Sequence, residues 1–343
     1  MALLQFTDEG IYCAQGDFYI DPWRPVGKAI ITHGHADHAR WGSQQYLCHQ
    51  LTVPILKARL GSAIVAEGLA YGQKVTINGV AITLHPAGHI VGSAQVRVSY
   101  KGEVWVASGD YKTEPDGISG TFEPVPCHTF ITECTFGLPV YQWPQQAQVF
   151  AAMNHWWAAN RAQGVTSVVA CYSLGKAQRI LKHLDASIGP VLAHGAIANM
   201  NAVVQQAGVV LPAAQQLVRD TPKATIKGAM VLAPPSALGS AWMKKLQPHS
   251  LGIASGWMAL RGTRRRRAAD RGFVLSDHAD WAGLNAAITA TGAQRVIATH
   301  GYQAAFARWL TEQGIEAHEE QTLFEGEQVD GTGAEAAAAP HQP

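Results

Sequence analysis

Charge is scarce in this chain: Asp, Glu, Lys and Arg together make up 15% of 343 residues, against 47% hydrophobic residues. That balance excludes a disordered or coiled-coil protein and describes a globular one long enough to bury a core. Cysteine is scarce too. Cys13, Cys48, Cys127, Cys134 and Cys171 are odd in number and show no CxxC spacing, which argues against a disulfide framework and a cysteine-type zinc knuckle. No apolar run approaches the roughly 20 residues needed to span a bilayer. The N-terminus lacks the basic, apolar, small-residue order of a signal peptide. No internal repeat is present. The expectation is a protein of the reducing cytoplasm with no membrane partner.

What is present is unevenly placed. From Glu312 onward there are eight acidic residues and no Lys or Arg, so of 25 acidic residues 17 face 26 basic ones in the first 311 positions, a net charge of +9. The body is basic and the tail acidic. The last stretch, Gly331 to Pro343 (GTGAEAAAAPHQP), is of low complexity and is expected to be disordered.

Strands and helices alternate through the rest. Lys28–Thr32 reads as a buried strand that runs straight into a histidine-rich loop. Val75–Pro86 and Ala94–Tyr100 read as short strands joined by turns, and Val104–Ala107 as another, ending at Ser108-Gly109-Asp110. Val149, Phe150, Met153, Trp156 and Trp157 fall at helical spacing. A strand at Val165–Cys171, a helix from Leu174, and strands at Pro190–Ala193, Ala229–Ala233 and Leu251–Ser255 follow. After Arg271 come a strand (Phe273–Ser276), a helix (Trp281, Leu284, Ile288), a strand (Val296–Ala298) and a helix (Tyr302, Phe306, Trp309, Leu310). This predicts an α/β protein in which the middle forms a second α/β unit inserted into the first.

The chemistry is concentrated in Thr32-His33-Gly34-His35-Ala36-Asp37-His38, which puts three imidazoles and a carboxylate within six positions of a strand-end loop. Histidine offers neutral nitrogen and aspartate oxygen to borderline metals. These four groups are too close in sequence to wrap one tetrahedral ion without strain, whereas two ions can share them. Further ligands are available at other strand ends: His89 in Gly88-His89-Ile90-Val91-Gly92, Asp110 in Ser108-Gly109-Asp110, and His300 before Gly301. Each of these alone reads equally well as an ordinary structural residue; together they form a set.

That set resembles the metallo-β-lactamase fold of binuclear hydrolases. The 190 residues between Asp110 and His300 leave room for an inserted domain. Glu133 in Ile131-Thr132-Glu133-Cys134-Thr135-Phe136-Gly137, and His278 in Ser276-Asp277-His278-Ala279-Asp280, are similar to the extra acidic and histidine motifs of the β-CASP nucleases. The segments Tyr172–Arg179 (YSLGKAQR) and Arg271–Trp281 look closest to the bacterial branch called ligase-associated DNA damage response exonucleases. The resemblance runs from about Gly10 to Phe324. It implies a metallo-β-lactamase αββα sandwich with an inserted α/β β-CASP domain. The boundaries expected are 1–143 and 269–328 for the two parts of the sandwich, 144–268 for the insert and 329–343 for a disordered tail. His33, His35 and His89 would hold one divalent ion, zinc or manganese. Asp37, His38 and His300 would hold a second, with Asp110 bridging. Asp21, in Ile20-Asp21-Pro22, matches the first acidic motif and would orient the histidine loop, although an ordinary turn aspartate reads equally well here. Cys134 and Phe136 depart from the commoner Ser and Tyr of the acidic motif and leave its carboxylate in place.

Two such ions lower the pKa of a bridging water from 15.7 towards about 7 and neutralise charge on phosphate. Asp37, Glu133 and His278 are the expected catalytic residues, with His278 as general acid and Glu133 favouring its protonated form. For substrate binding, Ser173, Lys176 and Arg179 lie at a strand-to-helix turn that either meets a phosphate or is an ordinary helix cap. Arg261, Arg264, Arg265, Arg266 and Arg267 place five arginines in seven positions, for backbone contacts or as a solvated run. The reading is a nuclease that processes single-stranded or frayed DNA ends in repair, with a functional link to a DNA ligase and a helicase. A β-CASP ribonuclease using the same residues stays open, since DNA-versus-RNA choice rests on contacts to the 2′ position. A non-catalytic nucleic-acid-binding scaffold predicts a damaged ligand set, and a small-molecule hydrolase of the thioester or lactam type predicts no oligonucleotide binding.

Overall fold

The computed structural model describes residues 2–260, 262 and 269–324. Arg261, Arg264, Arg265, Arg266 and Arg267, and the tail 329–343, lie outside these residues. The described chain divides into two compact units, one from residues 2–141 and 278–324, the other from 142–277.

The first unit opens with β1 (Gln5–Phe6), β2 (Ile11–Cys13), β3 (Phe18–Ile20), β4 (Lys28–Ile31), β5 (Gln45–His49) and β6 (Ala66–Leu69), which lie side by side in that order. β1 to β3 pair antiparallel, and β3 to β6 pair parallel. Helix α1 (Thr52–Leu60) connects β5 to β6. β4 is a run of Ala and Ile buried on both faces, as the centre of a parallel sheet requires. A second sheet begins with β7 (Lys74–Ile77), β8 (Val80–Pro86), β9 (Ala94–Tyr100), β10 (Glu103–Ala107) and β11 (Thr129–Cys134). Periodicity joins Val75–Pro86 into one strand, but the chain folds back there. Asn78 and Gly79 both take positive φ, 48° and 82°, the conformation of a type I′ hairpin turn.

The second unit follows: α2 (Gln146–Ala162), β12 (Thr166–Ala170), α3 (Lys176–His183), β13 (Val191–Ala193), α4 (Gly195–Gln206), β14 (Gln215–Gln216), β15 (Met230–Ala233), β16 (His249–Ser255) and β17 (Arg271–Val274). Its strands form one sheet in the order β14-β13-β15-β12-β16-β17, parallel throughout. Val149, Phe150, Met153 and Trp157 are the buried face of α2. Trp157 also donates its Nε1–H to Gly228 O at 3.1 Å, so the indole is both packed and satisfied.

The chain then returns to the first unit with α5 (Trp281–Thr291), β18 (Arg295–Gly301), α6 (Gln303–Glu312) and β19 (Glu316–Glu319). β18 joins the second sheet parallel to β11, giving the order β19-β18-β11-β10-β9-β8-β7. The two sheets of this unit share one core, in which Phe18, Ile20 and Ile30 meet Ile82, Val96, Trp105 and Ile131. Leu56 of α1 covers the outer face of the first sheet at Ala29, Ile31 and Tyr46. Leu284 and Ile288 of α5 and Phe306 and Leu310 of α6 cover the outer face of the second at Val106, Phe130 and Val296. The layers therefore run helix, sheet, sheet, helix. Among the described residues no helix is long and apolar enough to cross a membrane, and all five cysteines are free thiols.

One glycine fixes how β11 and β18 end together. Gly301 has φ +101°, and a Cβ there would come within 2.2 Å of the Cys134 carbonyl oxygen. Gly301→Ala should therefore destabilise the protein by about 1–3 kcal/mol, measured as a lower midpoint in a denaturant melt; an unshifted midpoint would contradict this packing.

Candidate metal centre

The second sheet aligns the chain ends that carry the site. β10, β11 and β18 are parallel, so Asp110, Glu133 and His300 leave the same edge. β8 and β9 are antiparallel, and the loop between them brings His89 to that edge. In the first sheet β3 and β4 are parallel, which puts Asp21 beside the loop from Thr32 to His38. The sheets are joined at this end by Ala94 N–H donating to Thr32 O at 2.8 Å. Asp110 can turn into the site because Gly109 takes φ +56°, where a Cβ would meet the Thr32 side chain at 2.6 Å.

Asp110 is at the centre, 2% exposed. Its Oδ2 lies 3.5 Å from His33 Nε2 and 3.7 Å from His89 Nε2. Its Oδ1 lies 3.5 Å from His38 Nε2 and 2.9 Å from His300 Nε2. His35 completes the first set, its Nδ1 lying 3.2 Å from His33 Nε2 and 3.0 Å from His89 Nε2. Asp37 Oδ2 is 3.7 Å from His38 Nε2. Among the described residues four groups could hold a metal ion, His33-His35-His89-Asp110, His38-Asp110-His300, Asp21-His33-His38 and Asp110-Glu133-His278, each with its ligand atoms within 4.8 Å of one another; the first two match the two expected ligand sets around Asp110.

Asp21 holds the histidine loop. Its carboxylate accepts from Thr32 N–H at 2.7 Å, from Thr32 Oγ1–H at 2.5 Å and from His38 Nδ1 at 2.7 Å. It does so from a positive φ of 43°, backbone strain of the kind found at functional sites. Glu133 is held as firmly. It accepts from Tyr111 N–H at 2.8 Å and Thr135 Oγ1–H at 2.6 Å, and His278 Nδ1 lies 3.0 and 2.9 Å from its two oxygens. The His89 and His278 rings are 4.6 Å apart.

Electrostatics set the protonation of these groups. Burial pushes His33 well below the ordinary imidazole value, and the neighbouring histidines His38, His89 and His35 add to that against the pull of Asp110. Burial would lower His38 as well, but Asp110, Asp37 and Asp21 together push it up to about 10. Burial acts to raise Asp110, yet the charges of His38, His300 and His278 hold it well below the usual carboxylate range. The fit to a cation shows in the polar atoms left over. His38 Nε2 and His300 Nδ1 are buried without a hydrogen bond. Buried polar atoms without a partner cost free energy unless something answers them, and a divalent ion among imidazole and carboxylate ligands does so.

Two of the residues expected to contact phosphate are buried. Lys176 is 1% exposed and Arg179 2%. Lys176 Nζ lies 3.6 Å from Asp277 Oδ2. The Arg179 guanidinium donates to Gln146 Oε1, Ser276 O and Asp277 Oδ1. Both cations are thus buried and paired inside the second unit. The half-buried Ser173 lies just before the helix, its carbonyl accepting from Gln178 Nε2 at 2.9 Å, while Gly175 is the N-cap. Two residues at the centre carry no sequence signal. Arg59, from the last turn of α1, donates to Gly34 O in the histidine loop and feels the charge of Asp37. Phe324 stacks on His38.

No protein-family model matches the chain. It is 32% identical over 311 residues to a protein of Opitutus terrae named "Probable DNA ligase", covering 90% of this chain and 30% of that protein. It is 30% identical over 129 residues to the "Endoribonuclease ysh1" of Emericella nidulans, covering 37% of this chain and 14% of that one. The chain thus spans under a third of the length of either relative. The similarity to the endoribonuclease supports the β-CASP metallo-β-lactamase family. A crystal structure of a protein of unknown function from Enterococcus faecalis is similar in fold, with a TM-score of 0.57 at 11% identity, covering 87% of this chain and 80% of that one.

Because His38 holds its proton up to about pH 10 in the cation-free protein, a cation that takes Nε2 must displace it. Divalent-ion binding at pH 7 should release protons and weaken as pH falls. Calorimetric titration in two buffers of different ionisation enthalpy measures that release; zero proton exchange would refute the ligand role of His38.

Proposed function

We propose that this chain is a metal-dependent nuclease of the metallo-β-lactamase/β-CASP kind, a phosphodiester hydrolase acting on DNA ends. The observation that carries the reading is the placement of Asp110, whose two carboxylate oxygens face different sets of imidazoles. A bridging carboxylate requires that arrangement; an isolated buried aspartate does not. His33, His35 and His89 would hold one divalent ion, and Asp37, His38 and His300 the other. When bound, zinc or manganese there would activate water at neutral pH and neutralise a phosphate oxygen.

The protein's own groups do the rest. Asp21 fixes His38 through Nδ1 and so turns Nε2 towards Asp110. Glu133, pinned by Tyr111 and Thr135, takes His278 Nδ1. In this reading the proton that reaches the departing sugar oxygen comes from His278 Nε2. Arg261, Arg264, Arg265, Arg266 and Arg267 supply positive charge for a polynucleotide backbone on sequence grounds. The domain names follow this reading: the helix-sheet-sheet-helix unit is the metallo-β-lactamase part, and the parallel-sheet unit the β-CASP insert. The protein would work exonucleolytically on single-stranded or frayed ends, in the cytoplasm, beside a DNA ligase and a helicase. Alignment of 90% of this chain with a protein named as a ligase supports the DNA side. The similarity to a named endoribonuclease supports a second reading, cleavage of RNA by the same residues.

Three measurements test this. End-labelled single-stranded DNA and RNA of matched sequence, incubated with metal-stripped protein plus zinc or manganese, should show DNA shortened; RNA cut in preference would move the assignment to the second reading. His278→Ala should keep its cations and lose at least about 100-fold in turnover, and unchanged turnover would remove the acid role. Asp110→Asn should lose cations and activity together, as read by elemental analysis of the purified variant.

A further inference from the structure

The last described residues of the chain pack onto the centre rather than away from it. Arg40, two residues past His38, donates through Nε to Asp37 O at 3.4 Å and through Nη2 to Leu323 O at 2.8 Å. It thereby ties the end of the described chain to the histidine loop. Next to Leu323, the Phe324 ring lies flat on the His38 imidazole, with centroids 4.2 Å apart and planes 8° from parallel. It meets His300 edge-on at 5.6 Å and Trp23 edge-on at 5.6 Å. His38 also packs on His33, with centroids 4.2 Å apart and planes tilted by 44°. His38 is therefore held on one side by Phe324, on another by His33, and at Nδ1 by Asp21. His33, His35 and His89 pack on one another instead. Phe324 thus bears on one half of the centre, the half built from His38 and His300.

We propose that Phe324, anchored through Arg40, is a positioning residue for the second cation, the one assigned to Asp37, His38 and His300. The proposal rests on the cation reading above. The ring fixes the tilt of both imidazoles and keeps water from the side of His38 and His300 away from Asp110. Without it, His38 keeps its bond to Asp21 but can rock about that bond, and His300 keeps the His38 ring at 5.8 Å but loses the edge contact with Phe324. A group outside the ligand set that orients the ligands typically changes metal affinity by about 10–100-fold, so the second equivalent should weaken while the first does not.

The test uses the full chain, stripped of metal and titrated with zinc against a chromophoric chelator, as wild type and as Phe324→Ala, Phe324→Leu and Phe324→Tyr. Wild type should take two equivalents. Phe324→Ala and Phe324→Leu should bind the first as wild type does and the second about 10-fold more weakly, with Phe324→Tyr close to wild type because it keeps the ring. Independently of metal, the His38 ring protons of the stripped protein should be shifted upfield by the stacked ring in proton NMR, and that shift should vanish in Phe324→Leu. Phe324→Leu, which keeps apolar bulk, serves if Phe324→Ala does not fold. Equal affinity for both equivalents in wild type and Phe324→Leu overturns the proposal alone. Wild-type protein that takes up no zinc overturns the cation reading and the proposal with it, and the NMR shift still reports whether the stack exists.

Discussion

A single carboxylate, buried to 2% exposure among imidazoles, is the constraint around which this chain is organised. An ionised Asp110 in such surroundings is costly unless positive charge answers it from several directions. The protein places His33 and His89 against one oxygen and His38 and His300 against the other. Burial, with the neighbouring imidazoles, drives His33 towards its neutral form, while Asp110, Asp37 and Asp21 drive His38 towards its charged one. Asp110 drives the second of these states and opposes the first. The divergence between two histidines five residues apart is a local statement of how charge is shared across the whole centre.

Holding that carboxylate in register needs rigid supports, and strand ends provide them. β10, β11 and β18 deliver Asp110, Glu133 and His300 from one sheet, and β3 and β4 deliver Asp21 and the histidine loop from the other. The strand ends are bonded to each other as well as to their sheets. Cys134 Sγ–H donates to Thr299 O at 2.9 Å, and Thr299 Oγ1–H donates to Thr132 O at 3.0 Å. The strand ends that carry Glu133 and His300 are therefore tied to each other. Asp21 at positive φ is a local cost that only such an over-determined frame sustains.

In the second unit the same economy of charge takes a different form. Lys176 and Arg179 share Asp277 inside the fold, and Gln146 takes a further part of the guanidinium. Arginine's planar fork suits that internal role as well as it suits phosphate. A basic residue beside a glycine turn reads the same in either role, because local sequence records the side chain and not what surrounds it. The stretch Val75–Pro86 was ambiguous for a related reason: apolar alternation continues across Asn78-Gly79, and only the turn conformation divides it into β7 and β8.

Much of the centre was nevertheless legible beforehand. Four of its donors fall within six consecutive residues, and His89, Asp110 and His300 each stand next to a glycine at the end of an apolar run, a pattern that survives without any knowledge of the partner strands. The α/β alternation and the buried face of α2 were legible because periodicity is a local property. Arg59 and Phe324 were not. An arginine ending a helix and a phenylalanine near an acidic tail are ordinary in sequence, and each acquires meaning only from a neighbour about 25 or almost 300 positions away. The order of residues along the chain therefore determined which chemical groups were present and which segments would form strands. The folded arrangement alone decided which oxygen of Asp110 meets which imidazole, and which cations are spent inside the protein, because those outcomes depend on distances between segments that sequence leaves unstated.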